Sequence, residues 1–168
     1  MNDLTCFAYV ALGANLGDPM AQVEAARAAL AALDGTQLVA SSHWYRTRAI
    51  GPGEQPDYIN GVVKLQTRLA PLALLHAMQA IEQKHGRQRE VRWGARTLDL
   101  DLLLYQDVAM ETTELTLPHP HLQERNFVVY PLADVAPDLI LPSGVEVNLL
   151  RDKLGREGLE RVAAAQSV

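Results

Sequence analysis

The sequence predicts a single compact domain that combines strands and helices. The chain has 168 residues, its composition of 48% hydrophobic and 21% charged residues is ordinary for a globular protein, and strand-like and helix-like patterns alternate along it. The predicted order is strand, helix, two strands, helix, strand. We expect residues 1–168 to form one unit, with a core over about 6–142 and a polar, helical surface tail over about 146–165.

The first strand and helix are predicted by a small apolar run followed by residues that start helices. Residues 6–14 are mostly small and apolar and lead into a glycine-containing loop, which is typical of a buried strand. Asp18 suits the N-cap of the next helix, and Pro19 suits its first position. The apolar stripe of this helix, which lies before Gly35, consists of Val23, Ala26, Leu30 and Leu33.

The middle of the chain is predicted to contain two strands and a second helix. Residues 38–47 and 58–67 have strand composition, and residues 51–56 interrupt them with glycines and prolines in a polar loop of the kind that often carries binding residues. The second helix spans about 71–85, before Gly86. The residues expected on its inner side are Leu72, Leu75, Met78 and Ile81. An apolar helical stretch is expected again over 127–135.

Residues 98–102 alternate strictly between leucine and aspartate, which is the strongest strand signal in the chain. Successive side chains of a strand point to opposite faces, so Asp99 and Asp101 share one face with Cα atoms roughly 6.5–7 Å apart. Neighbouring carboxylates repel each other unless a cation or solvent screens them, and a pair of Mg²⁺ ions would use both. The alternative interpretation is that they form only the polar side of an amphipathic strand.

A cluster of basic residues precedes this strand. Lys84, Arg87, Arg89, Arg92 and Arg96 are five of the 15 lysines and arginines in a chain whose net charge is −5. A magnesium-bound polyphosphate requires hard oxygen ligands for the metal and guanidinium groups for the remaining phosphate oxygens, and this segment supplies both. The alternative is a solvated charge run balanced by neighbouring acids.

Aromatic and imidazole side chains extend the candidate site. Trp93 lies between two arginines, where its ring either stacks on a flat heterocycle or folds back over the second helix. No thiol residue lies near His119 and His121 in sequence, so we favour an imidazole that donates to phosphate over a zinc pair. Tyr58 and Asn60 follow the glycine- and proline-rich loop, where an amide either pairs with the edge of a heterocycle or caps the strand.

Composition and charge argue against several classes of protein. The only cysteine, Cys6, cannot form an intramolecular disulfide, and the sequence shows neither a secretory signal nor a run of about 18 apolar residues. We therefore expect a cytoplasmic protein that has no membrane contact. The net charge of −5 argues against a nucleic-acid surface, and no pattern indicates an obligate oligomer, so a monomer is expected.

Together, these residues resemble a known family, the 6-hydroxymethyl-7,8-dihydropterin pyrophosphokinases of folate biosynthesis. The similarity runs from about Tyr9 to Pro142 and rests on residues 11–17, 45–47, 55–60 and above all 92–101. The resemblance implies an α+β fold, a three-layer α/β sandwich with a ferredoxin-like βαββαβ core and a mainly antiparallel sheet. It also implies that pyrophosphate is transferred from ATP to 6-hydroxymethyl-7,8-dihydropterin, giving AMP and the pterin diphosphate.

The resemblance also implies roles for individual residues. Asp99 and Asp101 would bind two Mg²⁺ ions that clamp the ATP phosphates and the pterin hydroxyl, while Arg87 and Arg96 would act on the phosphates in the chemical step. The implied nucleotide-binding positions are Gln79, Glu82, Arg87, Arg89, Arg92, Trp93, Arg96, Leu102, Thr116, His119 and Arg125. The implied pterin-binding positions are Thr47, Ile50, Tyr58, Asn60, Trp93, Asp99 and Phe127.

The chain departs from the family pattern at three places. The segment that holds Arg89 and Glu90 is one residue shorter, which affects the roles of both residues. Glu114 stands where an arginine that contacts the nucleotide can occur, and Pro120 stands where an aromatic residue can occur. These differences concern the adenosine and ribose contacts rather than the metal site.

Two other functions remain open from the residues. One is an RNA-binding module, because ferredoxin-like sheets also carry that function, although the clustered aromatics of such sheets are missing and the net charge has the wrong sign. The other is a different phosphate-handling enzyme on the same scaffold, since a fold does not determine a function. Titration with ATP, with and without Mg²⁺, and then with a reduced pterin separates the three.

Overall fold

An antiparallel sheet of six strands forms the centre of the computed structural model, which describes residues 5–15, 17–47, 57–85 and 98–162. The order is β5–β1–β4–β3–β8, and β2 pairs with β4 on the same side as β3. A separate two-stranded hairpin consists of β6 and β7. The strands are β1 (Cys6–Ala14), β2 (Thr36–Ser41), β3 (Tyr45–Thr47), β4 (Tyr58–Thr67), β5 (Asp99–Tyr105), β6 (Met110–Glu111), β7 (Thr116–Leu117) and β8 (Leu159–Arg161).

Helices cover both faces of the sheet. On one face α1 (Pro19–Ala31) and α2 (Pro71–His85) pack on the sheet in one apolar core, and on the other α3 (Asn126–Val135) and α4 (Val147–Leu154) enclose a second core. The connectivity β1–α1–β2–β4–α2–β5, with strand order β5–β1–β4–β2, is the predicted βαββαβ core. The three-layer α+β fold is therefore confirmed. None of these helices is long and apolar enough to span a membrane.

The first helix follows its sequence signals. Asp18 is the N-cap, and its Oδ1 accepts a 3.2 Å hydrogen bond from the Ala21 N–H. Val23, Ala26 and Leu30 are buried, as predicted. The helix ends at Ala31, so the partly buried Leu33 contacts the core from the turn that follows.

Three predictions of secondary structure were wrong in detail. Residues 38–47 form two strands rather than one, because the chain leaves the ladder at 42–44, where the Ser42 hydroxyl accepts a 2.9 Å hydrogen bond from the Val62 N–H. In α2 the fully buried leucine is Leu74, whereas Leu72 and Leu75 lie at the margin of the core. The polar helical tail proved to be a short helix, α4, followed by strand β8.

The tail is also more buried than predicted. Val147 is fully buried, and Leu150 and Leu159 are each 7% exposed. Since β8 pairs with β3 through Tyr45 and Arg161, Thr47 and Leu159, this segment extends the sheet instead of lying on its surface.

Candidate active site

A cavity of about 250 Å³ lies where the sheet meets the beginning of α3. Strands β1 and β3 end there, and β4 and β5 begin there, so four antiparallel strands contribute residues from one end of the sheet. Seven of the residues predicted for the site are brought together by this arrangement. They are Thr47, Tyr58, Asn60, Asp99, Asp101, Arg125 and Phe127.

Small residues of β1 lie between the amide of Asn60 and the carboxylates of Asp99 and Asp101. Gly13 is paired with Asn60 on one side and with Asp99 on the other, and Ala11 is likewise paired with Asp101. Neighbouring strands lie about 4.8 Å apart, so the amide and the carboxylates lie roughly 10 Å apart across a strand that has almost no side chains on this face. The cavity therefore has room for a flat ligand between them.

The amide of Asn60 is held in one orientation. The Thr47 hydroxyl donates a 2.8 Å hydrogen bond to Asn60 Oδ1, which leaves Nδ2 as a donor. That nitrogen lies against Gly13, at 2.8 Å from the position that a β-carbon would take. Phe127 forms an apolar wall, and its ring lies 5.8 Å from the guanidinium carbon of Arg125.

The acidic face of β5 agrees with the prediction from the alternation of leucine and aspartate. Asp99 and Asp101 are partly exposed and line the cavity, while Leu98, Leu100 and Leu102 are buried in the core under α1 and α2. The backbone N–H of Leu100 donates a 2.8 Å hydrogen bond to Oε2 of Glu82, a residue of α2 that is only 7% exposed. Because β5 is an edge strand, this carboxylate fixes the segment between the two aspartates.

His119 lies close to the acidic face. Its backbone N–H donates to the Leu103 carbonyl at 2.9 Å, and its ring Nδ1 accepts a 3.1 Å hydrogen bond from the His121 N–H, which leaves the ring proton on Nε2. Burial lowers the pKa of His119, the carboxylate of Asp101 raises it, and the charges of Arg125 and His121 lower it. His119 is therefore a neutral donor near Asp101 and Arg125.

The remaining described candidates lie outside the lining of this cavity. Gln79 is exposed on α2, Thr116 is partly buried on β7, and Leu102 is 3% exposed within the core. Gln79 and Thr116 therefore lie on elements that contact β5, and Leu102 is part of β5 itself. Glu114, one of the departures from the family pattern, accepts a 2.9 Å hydrogen bond from His76 Nε2, and both side chains are 54% exposed.

Several predicted site residues lie outside the described residues. The same holds for the glycine- and proline-rich loop over 51–56. Their roles stay predictions. The residues concerned are Ile50, Arg87, Arg89, Arg92, Trp93 and Arg96.

The donor atoms of the site fit magnesium. Asp99 and Asp101 offer hard carboxylate oxygens on one side of the cavity, and Mg²⁺ is usually held by one or two carboxylates together with substrate phosphates. Over the described segments, no group of three or more His, Cys, Asp and Glu side chains converges as a closed metal cage would require. An open two-carboxylate site is what a metal bound together with a polyphosphate needs.

Sequence reasoning missed the residues that shape the cavity without bearing charge. Ala11, Gly13, Gly61 and Val128 line it, but none was proposed for the site. The sequence did contain a signal for Ala11 and Gly13, because small residues recur at alternate positions of β1 and so share one face. No comparable signal marked Val128, which reaches the cavity through the packing of α3.

Comparisons with known proteins identify relatives of this chain. A family model described as 7,8-dihydro-6-hydroxymethylpterin-pyrophosphokinase matches residues 9–137. The 2-amino-4-hydroxy-6-hydroxymethyldihydropteridine pyrophosphokinase of Pseudomonas aeruginosa is 50% identical over 157 residues, which cover 94% of this chain and 97% of that protein. The enzyme of the same name from Haemophilus influenzae is 48% identical over 136 residues, covering 81% of this chain and 85% of that protein.

A solved structure is similar in fold. The crystal structure of a Plasmodium falciparum HPPK-DHPS triple mutant superposes with a TM-score of 0.74 over 94% of this chain and 48% of that chain. The sequence identity is 14%, so this similarity concerns the fold alone.

Proposed function

The chain belongs to the 7,8-dihydro-6-hydroxymethylpterin-pyrophosphokinase family, and we propose that the cavity between the sheet and α3 is where it carries out that family's reaction. The enzyme transfers the pyrophosphoryl group of ATP to 6-hydroxymethyl-7,8-dihydropterin, giving AMP and the pterin diphosphate in folate biosynthesis. One observation carries the assignment of the site: an oriented amide, an aromatic wall and two carboxylates line the same cavity.

The amide side of the cavity binds the pterin. Asn60 Nδ2 donates to an acceptor on the edge of the ring, and the bond from Thr47 prevents the amide from turning. Tyr58 and Phe127 enclose the ring, and Ile50 and Trp93 are assigned to pterin binding by the family resemblance alone. Gly13 and Ala11 leave space for the heterocycle to lie flat between the amide and the carboxylates.

The acidic side holds Mg-ATP. Asp99 and Asp101 would hold two Mg²⁺ ions, which would neutralise phosphate charge and align the reacting oxygens. His119 donates from Nε2 to a phosphate oxygen, and Arg125 adds a guanidinium beside it. The family resemblance assigns Arg87 and Arg96 to the transferred group. It assigns Gln79, Glu82, Arg89, Arg92, Leu102 and Thr116 to nucleotide binding.

The reaction is an in-line displacement. The oxygen of the pterin hydroxymethyl group forms a bond to the β-phosphorus of ATP, the bond from that phosphorus to the oxygen bridging the α-phosphate breaks, and AMP leaves with the bridging oxygen. The hydroxyl proton is released to solvent. The residues of the site contribute positioning and charge neutralisation, so no covalent enzyme intermediate is required.

The remaining properties follow from the same proposal. The whole chain, 1–168, acts as a single catalytic domain and as a monomer in the cytoplasm. Its partners are ATP and the pterin, without nucleic acid or membrane.

The assignment of the carboxylates is tested by substitution. Asp99→Asn and Asp101→Asn should each lower kcat by at least about a hundredfold, because the metal loses a charged ligand, while the free energy of unfolding changes little. Formation of AMP from ATP and reduced pterin is the measurement. Asp107→Asn, at an exposed turn directly after β5, is the matched control and should keep full activity. Near-normal turnover in either site variant would end the proposal.

A further inference from the structure

A second polar cavity lies on the face covered by α3 and α4. It has a volume of about 500 Å³ and shares no described lining residue with the pterin cavity. We call it the arginine cavity and define it by Tyr45, Tyr130, Asp134, Arg151, Arg156 and Arg161. None of these residues is needed for the reaction described above.

The elements around this cavity are fixed to one another. Tyr45 and Arg161 are directly paired across β3 and β8, and the buried side chain of Leu159 anchors β8. Asn126, at the start of α3, donates hydrogen bonds from Nδ2 to the carbonyls of Gly155 at 3.0 Å and Glu157 at 3.1 Å. The loop that carries Arg156 is thereby attached to α3, so the cavity is part of the folded framework.

Among the described residues that line the cavity, the one carboxylate is already engaged. Asp134 Oδ2 accepts hydrogen bonds from the Tyr45 hydroxyl at 2.7 Å and from both the backbone N–H and the ring of His43 at 3.2 Å. Burial and the interaction with Asp134 raise the pKa of Tyr45 and outweigh the hydrogen bond and charge of Arg161, which lower it, so this hydroxyl stays protonated and remains a donor to Asp134.

The described lining of the cavity has more guanidinium groups than carboxylates. Arg151 Nη2 lies 3.4 Å from the exposed carboxylate of Asp152, and neither Arg156 nor Arg161 forms an ion pair with any residue in the described part of the chain. Three guanidinium groups around one cavity repel each other, and an anion removes this repulsion. This local excess of positive charge occurs in a chain whose net charge is −5.

We propose that the arginine cavity binds a phosphate dianion, either inorganic phosphate or the phosphate group of a small molecule. Guanidinium forks match the oxygens of phosphate two at a time, and three of them with the Tyr130 hydroxyl can satisfy a tetrahedral dianion better than a planar carboxylate. The volume of about 500 Å³ lies within the usual range of small-molecule sites, which leaves room for an organic group attached to the phosphate.

The experiment is a titration of the ¹⁵N-labelled full chain followed by NMR, in phosphate-free buffer that contains EDTA. The probes are inorganic phosphate and ribose 5-phosphate. We expect saturable shifts of the backbone amides over 151–161 with both probes. Tighter binding of ribose 5-phosphate assigns the site to organic phosphates, and equal or weaker binding assigns it to the inorganic ion.

Two variants locate the binding. In the Arg156→Gln/Arg161→Gln double variant the Kd should rise at least about tenfold, because two charge-assisted contacts are lost. The Arg156→Lys/Arg161→Lys variant keeps the charge without the fork and should show a smaller rise. Arg46→Gln is the matched control, since Arg46 is exposed on the same strand as Tyr45 and does not line the cavity.

The proposal is overturned if the amides over 151–161 do not shift, if the shifts are confined to the surroundings of Asp101 and His119, or if the glutamine double variant binds as tightly as the unmodified protein. Unchanged thermal unfolding of the variants is expected, because Arg156 and Arg161 are exposed.

Discussion

Asn60 and Gly13 lie against each other across the β1–β4 ladder, so that a β-carbon on Gly13 would be 2.8 Å from Asn60 Nδ2. A β-carbon essentially never lies this close to a non-bonded atom, so any side chain at position 13 must displace the amide. The same amide is fixed on its other side by Thr47. The absence of a side chain at Gly13 is therefore part of the proposed pterin site.

Gly13→Ala should weaken pterin binding by about tenfold to a hundredfold, because the displaced amide loses hydrogen bonds worth roughly 1–3 kcal/mol. Binding of Mg-ATP should change much less. Calorimetric titration with each substrate measures both effects. As a control, adding Gly13→Ala to an Asn60→Ser variant should cost little further pterin affinity, and full additivity would contradict the contact.

Gly61→Ala should destabilise the fold. A β-carbon there would be 2.5 Å from Trp44 Cε3, so the indole must move out of its packing beside the core. Overpacking of this kind costs about 1–3 kcal/mol, measurable as a lower urea midpoint. In a Trp44→Ala background the same substitution should cost much less, and an equal cost in both backgrounds would show that the indole is not the obstacle.

Glu82→Leu tests the hydrogen bond that joins α2 to β5. The substitution leaves the buried N–H of Leu100 without its acceptor, which costs about 1–3 kcal/mol of unfolding free energy and loosens the strand between the two aspartates. Mg-dependent ATP binding should weaken with it. Glu82→Gln keeps an acceptor oxygen and should be milder in both measurements. If the two variants behave alike, the hydrogen bond does not hold the strand.

His119 should make stability depend on pH. Burial lowers its pKa below the ordinary value of 6.5, so the unfolded chain binds more protons between the two pKa values. The contribution of His119 is complete above about pH 6.5 and is lost as the pH falls through the folded pKa. Urea unfolding from pH 7.5 to 5 should show a steeper loss for the unmodified protein than for His119→Gln.

The imidazole ring of His119 allows a second measurement. Asp101 raises the pKa of His119 against the effects of burial and of Arg125, so Asp101→Asn should move the NMR titration of the His119 ring to lower pH. An unmoved titration would mean that the carboxylate does not lie close to the ring.

Much of the fold and part of the site could be predicted from the sequence. The strict alternation over 98–102 determines which face of β5 carries Asp99 and Asp101, since burying the leucines leaves the aspartates only the opposite side. Asp18 and Pro19 likewise mark the start of α1 through local hydrogen bonding and a fixed backbone angle. In these elements the local pattern and the tertiary environment require the same structure.

Where tertiary contacts decide, the sequence was not sufficient. The segment around Leu159 has helical composition, but its pairing with β3 makes it a strand. The inner side of α2 differs from the prediction because Leu74, Met78 and Ile81 follow the 3.6-residue period more closely than a strict spacing of three. The role of Glu82 as acceptor for Leu100 joins residues 18 positions apart and has no local signature.

We propose that Asp99 and Asp101 bind two metal ions together with the nucleotide beside the pterin cavity. Mn²⁺, which also prefers oxygen ligands, can be counted by electron paramagnetic resonance in the presence of a non-hydrolysable ATP analogue and the pterin. We expect two bound ions per chain, with at least one lost in Asp99→Asn and in Asp101→Asn and none lost in Asp107→Asn. If both site variants retain two ions, these carboxylates do not bind the metals.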